Sequence, residues 1–306
     1  MTQKEVEARI VKIALRNENE TLKTLKAIHA MHSQTKRNVK KNIRALLGGY
    51  TIPDNGRVDF PRLMLPLTTR EVADYKARVR DMREIADGEY YSYHFIEKFL
   101  KKPPKNRLHA ILLYALIDMA MFGQFWLDTA DNDLNATTAN TFDDYLEINE
   151  QRTEEPPVTS VMDTLWSDGY SNKSPKDRII DNNDKVIIAL MLLLEKEMVA
   201  QPTIREVERV IDERFRVQGN DINRHMQTYT TLATNQGLLM AYIYLGECLK
   251  HISVLDNRTT DLCRARNGRV FHVSEAVYGV TIPPLHHWCR SIVVPSPCSE
   301  IPVTQR

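Results

Sequence analysis

The sequence has little that marks a disulfide scaffold, a membrane protein or a general polyanion binder. Only four cysteines occur among 306 residues, and the net charge is +1. The first residues are charged from Lys4 on and carry no signal-peptide pattern, so we expect a reducing compartment and no structural disulfides. The nearest approach to a membrane span, 108–127, is interrupted by His109, Asp118 and Gln124. We therefore expect a buried bundle helix there.

Charge is unevenly distributed along a chain of otherwise ordinary globular composition. Apolar residues make up 42% and charged residues 26%, which is enough for a packed core. Residues 1–49 carry eleven Lys or Arg against four Glu, a net charge of +7, and residues 128–155 carry nine acids against one Arg, a net charge of −8. Such asymmetry indicates partners of opposite sign at different ends of the chain, although solvated helix faces give the same pattern.

Hydrophobic spacing predicts a mainly α protein. Residues 3–47 carry apolar side chains three and four positions apart without a proline, and they predict one long amphipathic helix ended by Gly48-Gly49. The other predicted helices cover 68–87, 90–100, 106–127, 184–200, 203–217 and 221–250. Capping boxes open two of them, at Thr68 with Glu71 and at Thr203 with Glu206. Residues 128–140 are polar and predicted as a loop, and Gly219 is expected to break the helical run around it.

After His251 the pattern changes to short β-branched runs at 269–273, 277–282 and 291–294. These runs predict a small antiparallel sheet packed on the preceding helices. The expected fold is mainly α, with long N-terminal helices and a helical bundle, followed by a small α+β C-terminal domain with a short antiparallel sheet. Pro156-Pro157 gives the softest boundary, which divides the chain into an N-terminal helical region, 1–157, and a C-terminal domain, 158–306.

A candidate metal site lies in the last fifty residues. His286 and Cys289 can reach one metal ion from a single turn, and Cys263 can join them, which gives three ligands of the type that zinc uses. No fourth ligand is obvious, and Thr260 stands where a Cys-x-x-Cys pair would need its first cysteine. The candidates for the fourth ligand are Cys298, His272 and Asp256. Alternatively, both cysteines are small buried apolar residues and the histidine is bonded to the backbone.

Two arginines flank this site, Arg258 and Arg290, and Asp256 precedes the first of them by two residues. An arginine fork holds carboxylates and carbonyls well, so we expect a hydrogen-bonded clip that fixes the sheet to the helices. A catalytic or phosphate-binding cluster is the alternative, and it needs a cleft. Gly268 is expected to supply a positive φ in a hairpin turn, and Pro283-Pro284 restricts the backbone ahead of the histidine.

Five positive charges lie around the polar side of the last turns of the first predicted helix. They are Lys36, Arg37, Lys40, Lys41 and Arg44. We predict that they contact double-stranded DNA without sequence preference, through its phosphates, so that the binding falls steeply with salt.

The C-terminal residues resemble the C-terminal domain of the phage Mu F-like minor head protein family, also called phage head morphogenesis proteins. The matching residues are Asp256, Arg258, Thr259, Cys263, Gly268, Pro283, Pro284, His286, Cys289 and Arg290. Upstream, Trp166-Ser-Asp-Gly and Arg178-Ile179 resemble the start of the family's domain, so the resemblance covers roughly 160–295. Some members carry cysteines where Thr260 and Ser291 stand here, and Thr228-Tyr-Thr-Thr lies near the place of a polar family segment.

The resemblance implies a minor capsid protein, present in few copies at the portal vertex inside the virion and in the host cytoplasm during assembly. Its implied partners are the portal protein, double-stranded DNA and the major capsid or scaffold protein, with no membrane in the resting state. It would assist the retention or ejection of packaged DNA. We expect no catalytic residue and at most one zinc ion.

Two other functions are weighed against this one. The first is a metal-dependent nuclease with His286 or His287 as general base, which is disfavoured because no Asp/Glu pair is spaced to place a catalytic Mg²⁺. The second is a transient assembly scaffold, which would be absent from finished particles.

Overall fold

The computed structural model describes residues 2–47, 55–85, 91–148, 160–167, 171–242 and 248–300, and it is mainly helical. The helices are α1 (Gln3–Leu47), α2 (Phe60–Leu63), α3 (Thr69–Ile85), α4 (Tyr91–Leu100), α5 (Arg107–Ile148), α6 (Pro175–Val199), α7 (Ile204–Tyr242) and α8 (Asp261–Arg266). The strands are β1 (Trp166–Ser167), β2 (Asn172–Lys173), β3 (Cys248–Ile252), β4 (Val270–His272) and β5 (Ile292–Pro295). Long N-terminal helices and a small antiparallel C-terminal sheet confirm the predicted fold class.

Both predicted capping boxes form. The Thr68 amide donates to Glu71 Oε2 at 2.7 Å while the Glu71 amide donates to Thr68 Oγ1 at 3.3 Å. The Thr203 and Glu206 pair repeats this geometry at 2.7 and 3.2 Å. Each box satisfies amide groups that a helix start leaves without intrahelical partners, which is why these two starts are visible in the sequence.

Two predicted helix ends are wrong. The polar stretch 128–140 continues α5, because Ala130 and Leu134 keep one helical face buried. Gly219 does not end α7, which runs without a break to Tyr242. A glycine within a helix costs only about 1 kcal/mol, and the buried residues around it outweigh that cost.

Contacts along the chain define two compact units. Unit 1 comprises Met1–Lys26, Thr129–Arg178 and Ile222–Arg306, and unit 2 comprises Ala27–Asp128 and Ile179–Asp221. Neither unit is consecutive in sequence, unlike the predicted domains 1–157 and 158–306. A proline pair indicates where a helix must end, but it does not show which helical segments pack together. In this fold, packing joins segments that are distant in sequence. Pro156-Pro157 itself lies outside the described residues.

Unit 1 contains the three-stranded sheet, in the order β4-β3-β5, with both pairings antiparallel. The predicted strands at 269–273 and 291–294 correspond to β4 and β5. The third strand is β3, which was predicted as the end of a helix. The run 277–282 forms only a turn with an isolated bridge between Tyr278 and Ile282. A short run of β-branched residues therefore did not distinguish a strand from a buried turn.

The core of unit 1 joins this sheet to segments of α1, α5 and α7. Its buried residues are Ile10, Ile13, Phe142, Tyr145, Leu146, Ile148, Leu238, Ala241, Tyr242, Leu249, Ile282, Ile292, Val293 and Val294. Asn17 donates to Thr141 Oγ1 at 2.8 Å and to Thr234 Oγ1 at 3.0 Å, so the three helical segments also share buried hydrogen bonds. At Gly237 a Cβ atom would lie 2.5 Å from the carbonyl oxygen of Thr138, so α5 and α7 meet with almost no space there.

A disulfide contradicts the expectation of reduced cysteines. Cys248, at the start of β3, is bonded to Cys298, with 5.2 Å between the two Cα atoms and 50 positions between them in sequence. Cys298 is therefore not available as a metal ligand. Two cysteines so far apart in sequence meet only because the sheet brings the start of β3 close to the chain that follows β5.

Unit 2 contains α2, α3 and α4, with segments of α1, α5, α6 and α7. Among the described residues, α5 is the one helix long and apolar enough to cross a membrane. Its most apolar stretch of 18 residues is nevertheless 83% buried inside the protein. Asp118 on α5 accepts a 2.7 Å hydrogen bond from Asn42 Nδ2, and Arg78 Nη1 lies 4.0 Å from its other oxygen. Burial raises the pKa of Asp118 to about 6.

Candidate functional site

Cys263, His286 and Cys289 come together in unit 1. The Cys263 Sγ lies 3.1 Å from His286 Nε2 and 3.7 Å from Cys289 Sγ, and the three ligand atoms all lie within 4.8 Å of one another. Tetrahedral zinc with Zn–S bonds of about 2.3 Å holds two sulfurs about 3.8 Å apart. The cluster can therefore hold one metal ion, and the sulfur spacing already has the separation that such an ion requires.

Local structure explains how each ligand is placed. Cys263 lies in the first turn of α8, whose N-cap Thr260 accepts a hydrogen bond from the Cys263 amide. The Cys263 carbonyl in turn accepts from Ser253 Oγ at 2.9 Å, which ties α8 to the end of β3. The ring of His286 is oriented by its Nδ1, 2.6 Å from the His287 carbonyl oxygen. Because Nδ1 bonds there, Nε2 is the ring nitrogen that faces the sulfurs, which is the orientation of a metal-binding histidine.

Electrostatics favour a thiolate at Cys263. Hydrogen bonds from Cys289 and then His286 lower the pKa of the Cys263 thiol to about 3. The same contact with Cys263 raises the pKa of the Cys289 thiol and of the His286 imidazole. Cys263 is only 3% exposed. A thiolate this well enclosed suits metal ligation better than attack on a large substrate.

A fourth protein ligand is not found among the described residues. Cys298 is in the disulfide, and His272 caps a short 3₁₀ helix through its Nδ1. Asp256 accepts from Arg290 instead. Thr260 Oγ1 lies 2.9 Å from His286 Nε2. The cluster is therefore a three-ligand arrangement with a hydroxyl beside it.

A hydrogen-bonded clip forms around Asp256. Its Oδ1 accepts from Arg290 Nη2 at 2.6 Å and from the Arg258 amide at 2.9 Å. Arg290 holds the pKa of the Asp256 carboxyl well below its usual range. Arg264 Nη2 donates to the Asp256 carbonyl at 2.5 Å, and Thr259 bonds Asp256 and Val254. The ion pair thereby joins the loop before α8 to the chain that follows the metal ligands.

Upstream residues of the resemblance meet the same region. Trp166 is fully buried, and its Nε1 donates to the Pro284 carbonyl at 2.5 Å. The Arg178 guanidinium lies 4.4 Å from the centre of the Trp166 ring and donates to the Trp166 carbonyl at 2.8 Å. The peptide bond between Pro283 and Pro284 is cis, and Gly268 has a φ of 79°. Residues about 120 positions apart in sequence thus form one connected structure.

Three residues that hold this region were not predicted to contact it, although two of them belong to the polar segment Thr228-Tyr-Thr-Thr. They form a polar stripe on α7: Thr231 Oγ1 donates to the Cys289 carbonyl at 2.6 Å, and Thr228 Oγ1 accepts from the Trp288 amide at 3.0 Å. Asn235 donates to the Ser291 carbonyl at 3.1 Å and accepts from the Val293 amide at 2.9 Å. The available signal was three polar side chains three and four positions apart on an otherwise buried helix.

The five predicted DNA contacts lie on the part of α1 that belongs to unit 2, and acids of α7 compensate three of them. Lys40 Nζ lies 2.7 Å from Asp212, Lys36 lies 3.4 Å from the same carboxylate, and Arg44 pairs with Glu208. Arg37 bonds Gln34, and Lys41 is exposed. DNA binding by this set stays a prediction, but much of its charge already serves ion pairs within unit 2.

Comparisons of the chain with protein-family models, curated proteins and solved structures found no match. The resemblance to the head morphogenesis family therefore rests on the motif residues and their arrangement.

Proposed function

We propose that this chain is a phage minor capsid protein of the Mu F-like head morphogenesis type. It lies inside the head at the portal vertex, binds the portal and double-stranded DNA without sequence preference, and assists the retention or ejection of packaged DNA. It contacts the major capsid or scaffold protein during assembly in the host cytoplasm. No catalytic residue is assigned.

One observation carries the proposal: the residues of the resemblance form a single connected arrangement. Asp256 bonds Arg290, Trp166 bonds Pro284, and Cys263 contacts His286 and Cys289. Residues that matched the family pattern only by chance would not be expected to bond to one another. The arrangement supports membership of a family of domains; the role in the virion comes from the family by analogy.

The metal is proposed to be zinc, one ion per chain. Two thiolates and an imidazole are ligands that zinc prefers, and the distance of 3.7 Å between the sulfurs suits it. Elemental analysis of the full chain, purified without chelator, should give one zinc per chain, with a marked loss in Cys289→Ser. If the wild-type chain carries no metal, the cluster is a hydrogen-bonded clip only.

The function is tested by co-expression of the full chain, tagged, with the portal protein of the phage that encodes it. The portal should co-purify, and mass analysis of finished particles should find the chain in few copies relative to the major capsid protein. Removal of residues 1–160 is not a suitable variant, because it takes away residues such as Ile10 and Phe142 that belong to the core of unit 1. Presence in assembling heads but absence from finished particles would identify a transient scaffold instead.

The nuclease alternative has a separate outcome. If the full chain nicks supercoiled DNA in the presence of divalent metal, and His286→Ala removes the nicking while leaving the melting temperature unchanged, the protein is an enzyme. DNA that stays intact after prolonged incubation, with the metal bound, agrees with the capsid role.

A further inference from the structure

A groove of about 270 Å³ opens beside the candidate metal centre. Parts of α1 and α7 line it, together with two C-terminal segments around Val254 and Trp288. Apolar atoms make up most of its surface. All of its lining residues belong to unit 1.

The α1 side of this groove carries apolar side chains, of which Val11 also packs against the core of unit 1 whereas Leu15 stays largely exposed. Ile10 and Ile13 are buried in the core of unit 1. On another side of the same helix, Val11 and Leu15 line the groove, and Leu22 follows two turns after Leu15. Leu15 is 48% and Leu22 43% exposed. Side chains four and seven positions apart form one strip along a helix, which is the surface that a second helix packs against.

Trp288 stands at the same groove in an uncommon conformation. Its φ is 65°, which few residues other than glycine adopt, and its amide is held by Thr228 Oγ1. The side chain is nevertheless 45% exposed, whereas Trp126 and Trp166 are fully buried. Backbone conformations of this kind concentrate at ligand-binding positions, and exposed tryptophans dominate many protein interfaces.

Charges of both signs lie at the groove, where Glu18 and Asp256 both act on Arg290, so Arg258 in the neighbouring cleft is the arginine left for a partner. Val254, Trp288 and Arg290 line both the groove and a small neighbouring cleft, which Arg258 also lines. The Arg258 side chain is 72% exposed, and its Nε lies 3.9 Å from Asp256, whose other oxygen is bound by Arg290 at 2.6 Å. The Asp256 charge is thus shared with a closer arginine, and Arg258 keeps capacity for a further carboxylate.

We propose that this surface binds an acidic amphipathic helix of a partner protein. The apolar face of that helix packs on Leu15, Val254 and Trp288, and a carboxylate at its end pairs with Arg258. An apolar groove with a charged end is the arrangement that recognises such helices. The inference rests on the proposed function only for the identity of the partner, which would be the portal.

Trp288 provides the measurement. Because the other two tryptophans are buried, acrylamide quenching of the full chain reports mainly on Trp288. The probe is a synthetic helix of about 20 residues with leucines at positions i, i+4 and i+7 and glutamates elsewhere on its surface. It should shift Trp288 emission to the blue and protect it from acrylamide, whereas the same helix with lysines for glutamates, or with a scrambled order, should do neither.

Two exposed leucines make a matched pair of variants. Leu15→Glu places a charge in the groove and should weaken peptide binding by about tenfold or more. Leu192→Glu changes a residue of α6 that is 62% exposed and does not line the groove, so its affinity should equal that of the wild type. Arg258→Gln should weaken binding by about threefold to tenfold and reduce its dependence on salt.

The proposal is overturned if the acidic helix leaves Trp288 unprotected, if Leu15→Glu binds like the wild type, or if the lysine helix binds equally well. Protection of Trp288 by a DNA duplex of about 30 base pairs, without protection by the acidic helix, would overturn it in favour of a nucleic-acid surface. Failure of the capsid function is read separately, from the absence of the chain in finished particles.

Discussion

The C-terminal motif, residues 256–290, and the basic segment, residues 36–44, both attract attention in the sequence, but the structure uses their charges differently. In the motif, Asp256 and Arg290 form a short ion pair within a set of backbone hydrogen bonds. In the basic segment, Lys40 and Arg44 meet acids of α7 on a partly exposed helix surface. In the motif, the identity and spacing of the charged residues indicated a structural unit that is present in the fold. In the basic segment, the number of positive charges did not show which of them are already paired with acids.

The largest effect is expected at the three-ligand cluster of the motif. Cys289→Ser should lower the free energy of unfolding by roughly 4 kcal/mol or more if a metal is bound, because the binding free energy of a structural metal is also folding free energy. Thermal melting with and without chelator measures this. Chelator should destabilise the wild type by a similar amount and should have little further effect on the variant. Equal melting temperatures of variant and wild type would show that the cluster carries no metal.

The disulfide that encloses the motif should have the next largest effect. Cys248 and Cys298 are 50 positions apart, so opening this loop in the double variant Cys248→Ala, Cys298→Ala should cost about 2 to 4 kcal/mol. Denaturation of the oxidised wild type, the reduced wild type and the variant measures it. The reduced wild type and the variant should agree. An unchanged unfolding midpoint on reduction would show that the two sulfurs are not bonded in solution.

The polar stripe on α7 tests whether the motif depends on its support. Asn235→Leu leaves the Val293 amide and the Ser291 carbonyl buried without their partner, which should cost about 2 to 3 kcal/mol. Gln227→Leu is the matched control, since it makes the same change of type on the same helix beside the groove. Urea denaturation separates the two variants. A cost at Asn235 below that of the control would mean that the stripe does not hold the motif.

On the buried side of the basic segment, the Asp118 carboxyl should make the free energy of unfolding depend on pH. The pKa of Asp118, which Asn42 contacts, is raised to about 6, so the folded chain keeps a proton that the unfolded chain releases near pH 4. This group therefore favours folding fully below about pH 4 and loses that contribution as the pH rises to 6. Asp118→Asn should be more stable than wild type by about 1 to 2 kcal/mol at pH 8, and the difference should shrink towards pH 4. A difference independent of pH would contradict the raised pKa.

On its exposed side the basic segment should give the smallest effect. Arg44→Gln breaks a partly exposed ion pair with Glu208 and should cost less than about 1 kcal/mol, decreasing with added salt. Lys41→Gln is the matched control and should cost nothing measurable. Melting curves at low and high salt decide the matter. A loss at Arg44 as large as the loss at Asn235 would remove the contrast between the two regions.

The sequence predicted those parts of the fold that local chemistry controls. Capping boxes at Thr68 and Thr203 satisfy amides within four residues, so their helix starts were correct. The helix through 128–140 and the passage of α7 through Gly219 were missed, because burial against other helices outweighed the local preferences. The strand β3 was read as helix, since its pattern depends on two neighbours that are distant in sequence.

The residues of the candidate site also fall into those that the sequence predicted and those that it did not. Cys263, His286 and Cys289 were identified from ligand type and spacing, and Asp256, Arg258 and Arg290 were expected to form a clip, but their pairing was not predicted. Thr228, Thr231 and Asn235 were missed as supports, because polar side chains at helical spacing do not show which backbone groups they will contact. Similarly, the sequence did not show that Cys248 and Cys298 would bond.

By itself, the sequence determined the mainly helical class, the helix starts with their own caps and the three residues of the candidate metal centre. Each of these follows from side chains that interact within a few positions or carry distinctive ligand chemistry. Only the tertiary structure decided which charges are paired, which cysteines are bonded and which apolar residues of α1 stay at the surface. Those outcomes depend on contacts between residues that are distant in sequence, and no local pattern contains them.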